Sequence, residues 1–212
     1  MPRRARLVLP EVPQHVIQRG NNRQACFMGN EDYLYYLRCL REQAHGNRCR
    51  VHAYVLMGNH VHLLLSVDDG EALARMMKAL GQIYTQYFNR SHLRSGTLWE
   101  GRYKSSQVLD EEYFLVCQRY IELNPLRAGM VRFPGHYRWS SYRGNAEGRP
   151  DSLLTPHSLY QRLGANPLAR QASYRGLFAE ELATDVLEQV RVAANGNRPL
   201  GVLDENPPHQ TK

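Results

Sequence analysis

The run from Arg50 to Val67 constrains the fold most. Two largely apolar stretches meet at Gly58-Asn59. Gly-Asn has hairpin-turn chemistry, so residues 50–57 and 60–67 read as antiparallel strands joined by a two-residue turn. That turn sets Met57 opposite His60 and Val55 opposite His62. Strand side chains alternate between faces, so His60 and His62 project together while Val61, Leu63 and Leu65 point the other way. Val51, Ala53 and Val55 are expected beside the histidines. Two imidazoles one strand repeat apart can share a divalent ion. A pair of half-buried, inert histidines would leave the same pattern.

The elements around this hairpin follow from periodicity and punctuation. Residues 12–19 read as a strand ending in the turn cluster Gly20-Asn21-Asn22-Arg23. The stretch Arg19-Gly-Asn-Asn-Arg23 offers two guanidiniums and two amides around a glycine, a set able to grip a phosphate or a base edge. An ordinary polar turn is the alternative. A helix over 30–45 is expected, capped by Asn30, with Tyr33, Leu34, Leu37 and Leu40 at helical spacing. A second helix over 71–90 carries a wide apolar face.

Residues 97–109 read as a fourth strand, with Gly101 marking a bulge and Arg102 and Lys104 sharing one face. A helix from Asp110 to about Leu123 places Tyr120 and Asn124 one turn apart on the same side. Asn124-Pro125 then reads as the cap of a short helix ending at Gly129. The first six elements follow the order β-α-β-β-α-β, so the fold class expected is α+β. The core is ferredoxin-like with an antiparallel sheet, a following tyrosine-bearing helix and a helical C-terminal extension. Residues 1–143 form the expected main domain, 144–152 a linker, and 153–212 the extension, with helix breaks near 164–167 and 180 and a loose end from 196.

The formal net charge is +7, and only Lys78, Lys104 and Lys212 of the 27 basic residues are lysines. Arginine's planar fork suits phosphate, and a basic excess suits a polyanionic partner. Codon bias would also enrich arginine. Arg3, Arg4 and Arg6 make the N-terminus a basic arm. Cys26, Cys39, Cys49 and Cys117 include no C-x-x-C pair, so free thiols in a reducing cytoplasm are expected. No apolar run is long enough for a membrane helix.

Four segments together resemble a known family. They are His15-Val-Ile-Gln-Arg-Gly-Asn-Asn-Arg23, Tyr54-Val-Leu-Met-Gly-Asn-His-Val-His62, Leu98-Trp-Glu-Gly-Arg-Tyr-Lys104 and Arg119-Tyr-Ile-Glu-Leu-Asn-Pro-Leu-Arg-Ala-Gly129. In this order and spacing, from about residue 10 to 143, the chain resembles the single-tyrosine HUH transposases, most closely the REP-associated tyrosine transposases. Gly58 stands where many relatives have proline.

The resemblance implies a metal-dependent endonuclease and strand transferase acting on single-stranded DNA beside a hairpin. Tyr120 would be the nucleophile, forming a 5′-phosphotyrosine. His60, His62 and Asn124 would hold Mg2+ or Mn2+. Arg3, Arg4, Arg19, Asn21, Arg23, Arg102 and Lys104 would contact DNA. The bacterial cytosol or nucleoid is the implied location, and both monomers and homodimers occur among relatives. Three neutral ligands should bind the ion weakly without DNA, with manganese suiting the imidazoles at least as well as magnesium. Two other readings of the same residues remain: a non-catalytic regulator binding DNA or RNA hairpins, and a metal-dependent hydrolase with no covalent step.

Overall fold

A computed structural model of the chain describes residues 8–201. Its centre is an antiparallel sheet of β1 (Gln14–Arg19), β2 (Cys49–Met57), β3 (His60–Val67) and β4 (Lys104–Gln107), in the order β2-β3-β1-β4. With α1 (Asn30–Gly46) and α2 (Ala72–Ser91) between the strands, this is the α+β, β-α-β-β-α-β arrangement expected. The arm carrying Arg3 and Arg4, and the chain beyond Gly201, lie outside the described residues.

The hairpin register is the expected one at its turn: Met57 pairs with His60 and Val55 with His62. A bulge then shifts the ladder between Val51 and Ala53. Ala53 pairs with Leu64 but Val51 with Leu65, so Val51 leaves the histidine face. His52 is the extra residue. Its ring is fixed by the Thr155 carbonyl at 2.7 Å and the Ser66 hydroxyl at 2.9 Å.

The other face is apolar. Val16, Val61, Leu63 and Leu65 lie fully buried, in one core with Leu40, Leu73, Met76, Leu80 and Tyr84 of α1 and α2. Asn30 is the first residue of α1 and does not cap it. The Asp32 carboxylate takes that part, accepting from the Met28 and Gly29 amides at 2.7 and 3.2 Å.

β4 is shorter than expected. Gly101 has φ of +134°, a backbone that breaks the extended path, and Trp99 meets Gly20 only as an isolated bridge. Arg102 therefore sits exposed in a bend outside the strand and does not share a strand face with Lys104.

α3 (Glu111–Glu122) starts at Asp110, whose carboxylate accepts from the Glu112 amide at 2.6 Å. It crosses the histidine face and is followed by α4 (Asn124–Arg127). The extension contains α5 (Tyr142–Glu147), α6 (Ser158–Gln161), α7 (Pro167–Gly176) and α8 (Thr184–Gly196). The stretch expected as a linker thus begins inside α5, where Asn145 and Ala146 are buried. Asn145 is held by bonds to the His52 carbonyl and to Glu122, which the local composition does not reveal.

Both sheet edges are covered, which protects their unpaired backbone groups. At β2, Leu56 donates to Trp139 and Ser141 to Tyr54. At β4, Leu200 donates to Gln107 and Leu109 to Leu200. The four cysteines are free and buried, and among the described residues no helix is long and apolar enough to cross a membrane.

Candidate active site

His60 opens β3 directly after the turn. Its Nδ1 lies 2.6 Å from Asn59 Oδ1, and the Asn59 amide donates to the Arg23 carbonyl at 3.1 Å. His62 Nδ1 lies 2.9 Å from Nε2 of His15, which reaches diagonally from β1, where Ile17 is the direct partner of His62. Both contacts occupy Nδ1 and leave Nε2 of His60 and of His62 available. Burial lowers the pKa of His60 to about 4, with the Arg19 cation adding to it, and that of His15 to about 3. His62 is held well below the ordinary value, by burial first and then by its basic neighbours. All three rings are neutral at pH 7, as metal-binding imidazoles must be.

α3 brings Tyr120 over this group. Its ring centroid is 6.0 Å from that of His62 and 5.8 Å from that of His15, edge-on to both. The ring is 6% exposed, and no hydrogen bond to its hydroxyl occurs among the described residues. Asn124 Nδ2 donates back to the carbonyls of Tyr120 at 3.0 Å and Ile121 at 3.3 Å. The side chain therefore does not cap α4 as expected. It closes α3 and leaves Oδ1 as an acceptor.

Arg127 lies one turn further on. Its guanidinium stacks 4.2 Å over the Tyr120 ring and donates from Nη2 to the Tyr120 carbonyl at 2.9 Å, while Nη1 is buried with no partner among the described residues. Burial lowers the Arg127 pKa, yet a guanidinium stays charged at neutral pH.

The rear of α3 is pinned by Glu122, which is fully buried. Ser141 Oγ donates to it at 2.6 Å, Asn145 Nδ2 at 2.8 Å and Tyr174 Oη at 2.9 Å. Burial raises its pKa to about 7 against the pull of these three donors. Through Glu122, α5 and α7 fix the helix that carries Tyr120.

The Arg19–Arg23 loop is shaped against the same hairpin. Arg19 pairs with His60 across β1 and β3. Gly20 donates to the Asn59 carbonyl and Asn21 to the Leu98 carbonyl. The need for glycine at position 20 is space, not flexibility, because a Cβ there would collide with the Gln24 carbonyl and the Cys26 sulfur. Asn22 and Arg23 take positive φ of 50° and 58°, a conformation held by Asn59 and the flanking amides. Lys104 is opposite Ile17 and hence on the histidine face, whereas Arg102 stands apart from it.

Among the described residues no three His, Cys, Asp or Glu side chains come together as a metal set. A three-ligand site here needs a donor of another type, and an amide oxygen such as Oδ1 of Asn124, which the bonds of its Nδ2 leave free, is of that type. Two imidazole lone pairs and an amide oxygen fit a divalent ion of the Mg2+ or Mn2+ class, the oxygen meeting the ion's hard preference and the nitrogens favouring manganese.

A family model for IS200-like transposases matches residues 10–124, more than half of the chain. The chain belongs to the IS200-like transposase family. Among solved structures, a REP-associated tyrosine transposase bound to a REP hairpin resembles this transposase with a TM-score of 0.56 at 15% identity, covering 74% of this chain and 93% of the other. A candidate transposase from Deinococcus radiodurans R1 shares 24% identity over 57% of this chain and 96% of its own, with a TM-score of 0.41. No match is found among curated proteins.

Two residues of this transposase site escape a reading of sequence alone, and a third does not. Asn59 reads only as turn chemistry. His15 joins the group through the pairing of β1 with β3, which no local pattern states. Arg127 was detectable, since Tyr120, Asn124 and Arg127 follow the i, i+4, i+7 spacing of one helix face.

Proposed function

We propose that this transposase cleaves and rejoins single-stranded DNA beside a hairpin through a covalent tyrosine intermediate. Tyr120 is the nucleophile, and His60, His62 and Asn124 hold Mg2+ or Mn2+. The observation that carries this reading is the edge-on approach of the Tyr120 ring to His62, whose Nε2 is left open. The bound ion would act as a Lewis acid on the scissile phosphate.

The remaining chemistry belongs to the chain. Tyr120 Oη forms a bond to phosphorus and loses its proton. The bond from phosphorus to the 3′-oxygen breaks, and that oxygen takes up a proton. The 5′-phosphate stays on the tyrosine, so the bond energy is kept for rejoining to another 3′-hydroxyl. Asn124 and Arg127 hold the backbone and ring of Tyr120, and Glu122 holds the helix behind it. Two neutral imidazoles and an amide leave the ion its charge for the phosphate.

Arg19, Asn21 and Arg23, with Lys104, Arg102 and the arm carrying Arg3 and Arg4, are assigned to the DNA. The net charge of +7 supports a polyanionic partner. The hairpin-bound relative supports a hairpin as the form recognised.

The test is a labelled hairpin with a short 5′ single-stranded tag, incubated with and without manganese and run on a denaturing gel. The wild type is expected to form a manganese-dependent covalent adduct. Tyr120→Phe is expected to bind the hairpin and form none. Cleavage that survives Tyr120→Phe and fails in His60→Ala would contradict the covalent step and leave a metal-dependent hydrolase. Binding with no cleavage, indifferent to chelator, would leave a regulator.

A further inference from the structure

His15 has no part in the chemistry so far, yet it is fully buried beside the candidate metal ligands. Its Nε2 is 2.9 Å from His62 Nδ1, and the two ring planes are 24° apart. Each ring is a neutral imidazole with one N–H and one lone pair, so only two arrangements make this hydrogen bond. If His15 donates, His62 carries its remaining proton on Nε2 and has no lone pair there for an ion. If His62 donates from Nδ1, its Nε2 keeps the lone pair. The neighbouring ligand already follows the second pattern, because Asn59 Oδ1 can only accept from His60 Nδ1.

The far side of His15 fits the same choice. Among the described residues its Nδ1 is buried with no hydrogen-bond partner. Directly opposite on β4 is Ser106, whose hydroxyl is buried and also without a partner. With His62 donating, His15 carries its proton on Nδ1, on the ring edge away from His62, and a serine hydroxyl can accept it directly or through one water. A leucine at position 15 would remove the unpaired Nδ1 but would leave the buried Nδ1 of His62 without its partner, so what histidine supplies here is the bond to His62.

We infer that His15 is the positioning residue for His62: it accepts from His62 Nδ1 and thereby leaves Nε2 of His62 with the lone pair a divalent ion takes. Outer-shell partners of this type fix the ring orientation and tautomer of a ligand histidine. His15 also meets the Tyr120 ring edge-on, so the same side chain sets the ligand and supports the tyrosine. The inference rests on the metal reading of His60 and His62 given above.

Manganese binding to the full-length protein without DNA, followed by electron paramagnetic resonance, tests it. His15→Leu is expected to weaken manganese binding by roughly 10- to 100-fold in a protein that still unfolds cooperatively above the assay temperature. His15→Gln places a carbonyl oxygen where Nε2 was and is expected to recover affinity to within a few-fold. If His62→Ala loses manganese while His15→Leu binds it as the wild type does, His15 has no positioning role and the metal site stands. If His15→Gln binds as weakly as His15→Leu in a folded protein, the hydrogen-bond explanation is wrong. If the wild type and His62→Ala are indistinguishable, the metal reading itself falls, and this inference with it.

Discussion

The two faces of one sheet are built for different ends. On the helix side, Val16, Val61, Leu63 and Leu65 meet α1 and α2 and gain free energy by leaving water. On the other side, the same strands present His15, Arg19, His60 and His62, and α3 covers them with Tyr120. Every residue on β3 belongs to one face or the other by parity alone. The apolar set specifies the fold. In the histidine set His15 and His62 are buried as well, and they place neutral nitrogens where burial opposes protonation. The contrast predicts that substitutions on one face should cost stability and on the other chemistry.

The largest effect expected is on catalysis. Tyr120→Phe and His62→Ala should each lower adduct formation by at least about a thousandfold, while hairpin affinity changes little and Tyr120→Phe leaves the urea midpoint near the wild-type value. A collapse of affinity with the fold intact would turn the histidine face into a binding surface.

Leu63→Ala, next to His62 in sequence but on the opposite face, should behave inversely. Removing a fully buried leucine is expected to cost about 2–5 kcal/mol in urea unfolding, and the protein that remains folded should keep wild-type adduct rates. A specific loss of rate at full stability would break the division between faces.

The next effect concerns pH. Burial lowers His52 to about 4, so the unfolded chain takes up a proton first as pH falls below about 6.5. Stability from this group is fully present above that value and is lost as pH falls toward 4. Glu122 has the opposite sign: its raised pKa makes its contribution greatest below the ordinary carboxylate range and lost as pH rises through about 7. Between pH 7 and 5, His52→Gln should lose about 2 kcal/mol less than the wild type. Glu122→Gln should make the acid loss steeper. Identical slopes in all three proteins would remove burial as the cause.

The smallest effect is electrostatic. Lys104→Ala should weaken hairpin binding evenly across sequences and reduce the slope of log affinity against log salt by about 1. Arg102→Ala reports on whether DNA extends beyond the histidine face, since Arg102 sits in the bend before β4.

Local chemistry made much of this fold legible. Gly58-Asn59 sets the turn, and the pairing of Met57 with His60 follows from it. What escaped was set by contacts remote in sequence. The chain before β4 bridges to Gly20 through Trp99 instead of extending the strand, and the supposed linker is held by Glu122 through Asn145. In the candidate site, the proximity of His60 to His62 and of Tyr120 to Asn124 could be read from strand and helix periods. The approach of Tyr120 to His62 could not, because it depends on which face α3 covers. His15 needed the order of strands, a property of the whole sheet.

The central claim is that one tyrosine becomes joined to DNA. Trypsin cuts after Arg119 and Arg127, so Tyr120 falls in a peptide containing no other tyrosine. Mass spectrometry of the manganese-dependent adduct, after nuclease trimming, should find the nucleotide on that peptide through a phosphodiester to Tyr120. A nucleotide on any other peptide, or complete cleavage of the hairpin with none attached, would contradict the account.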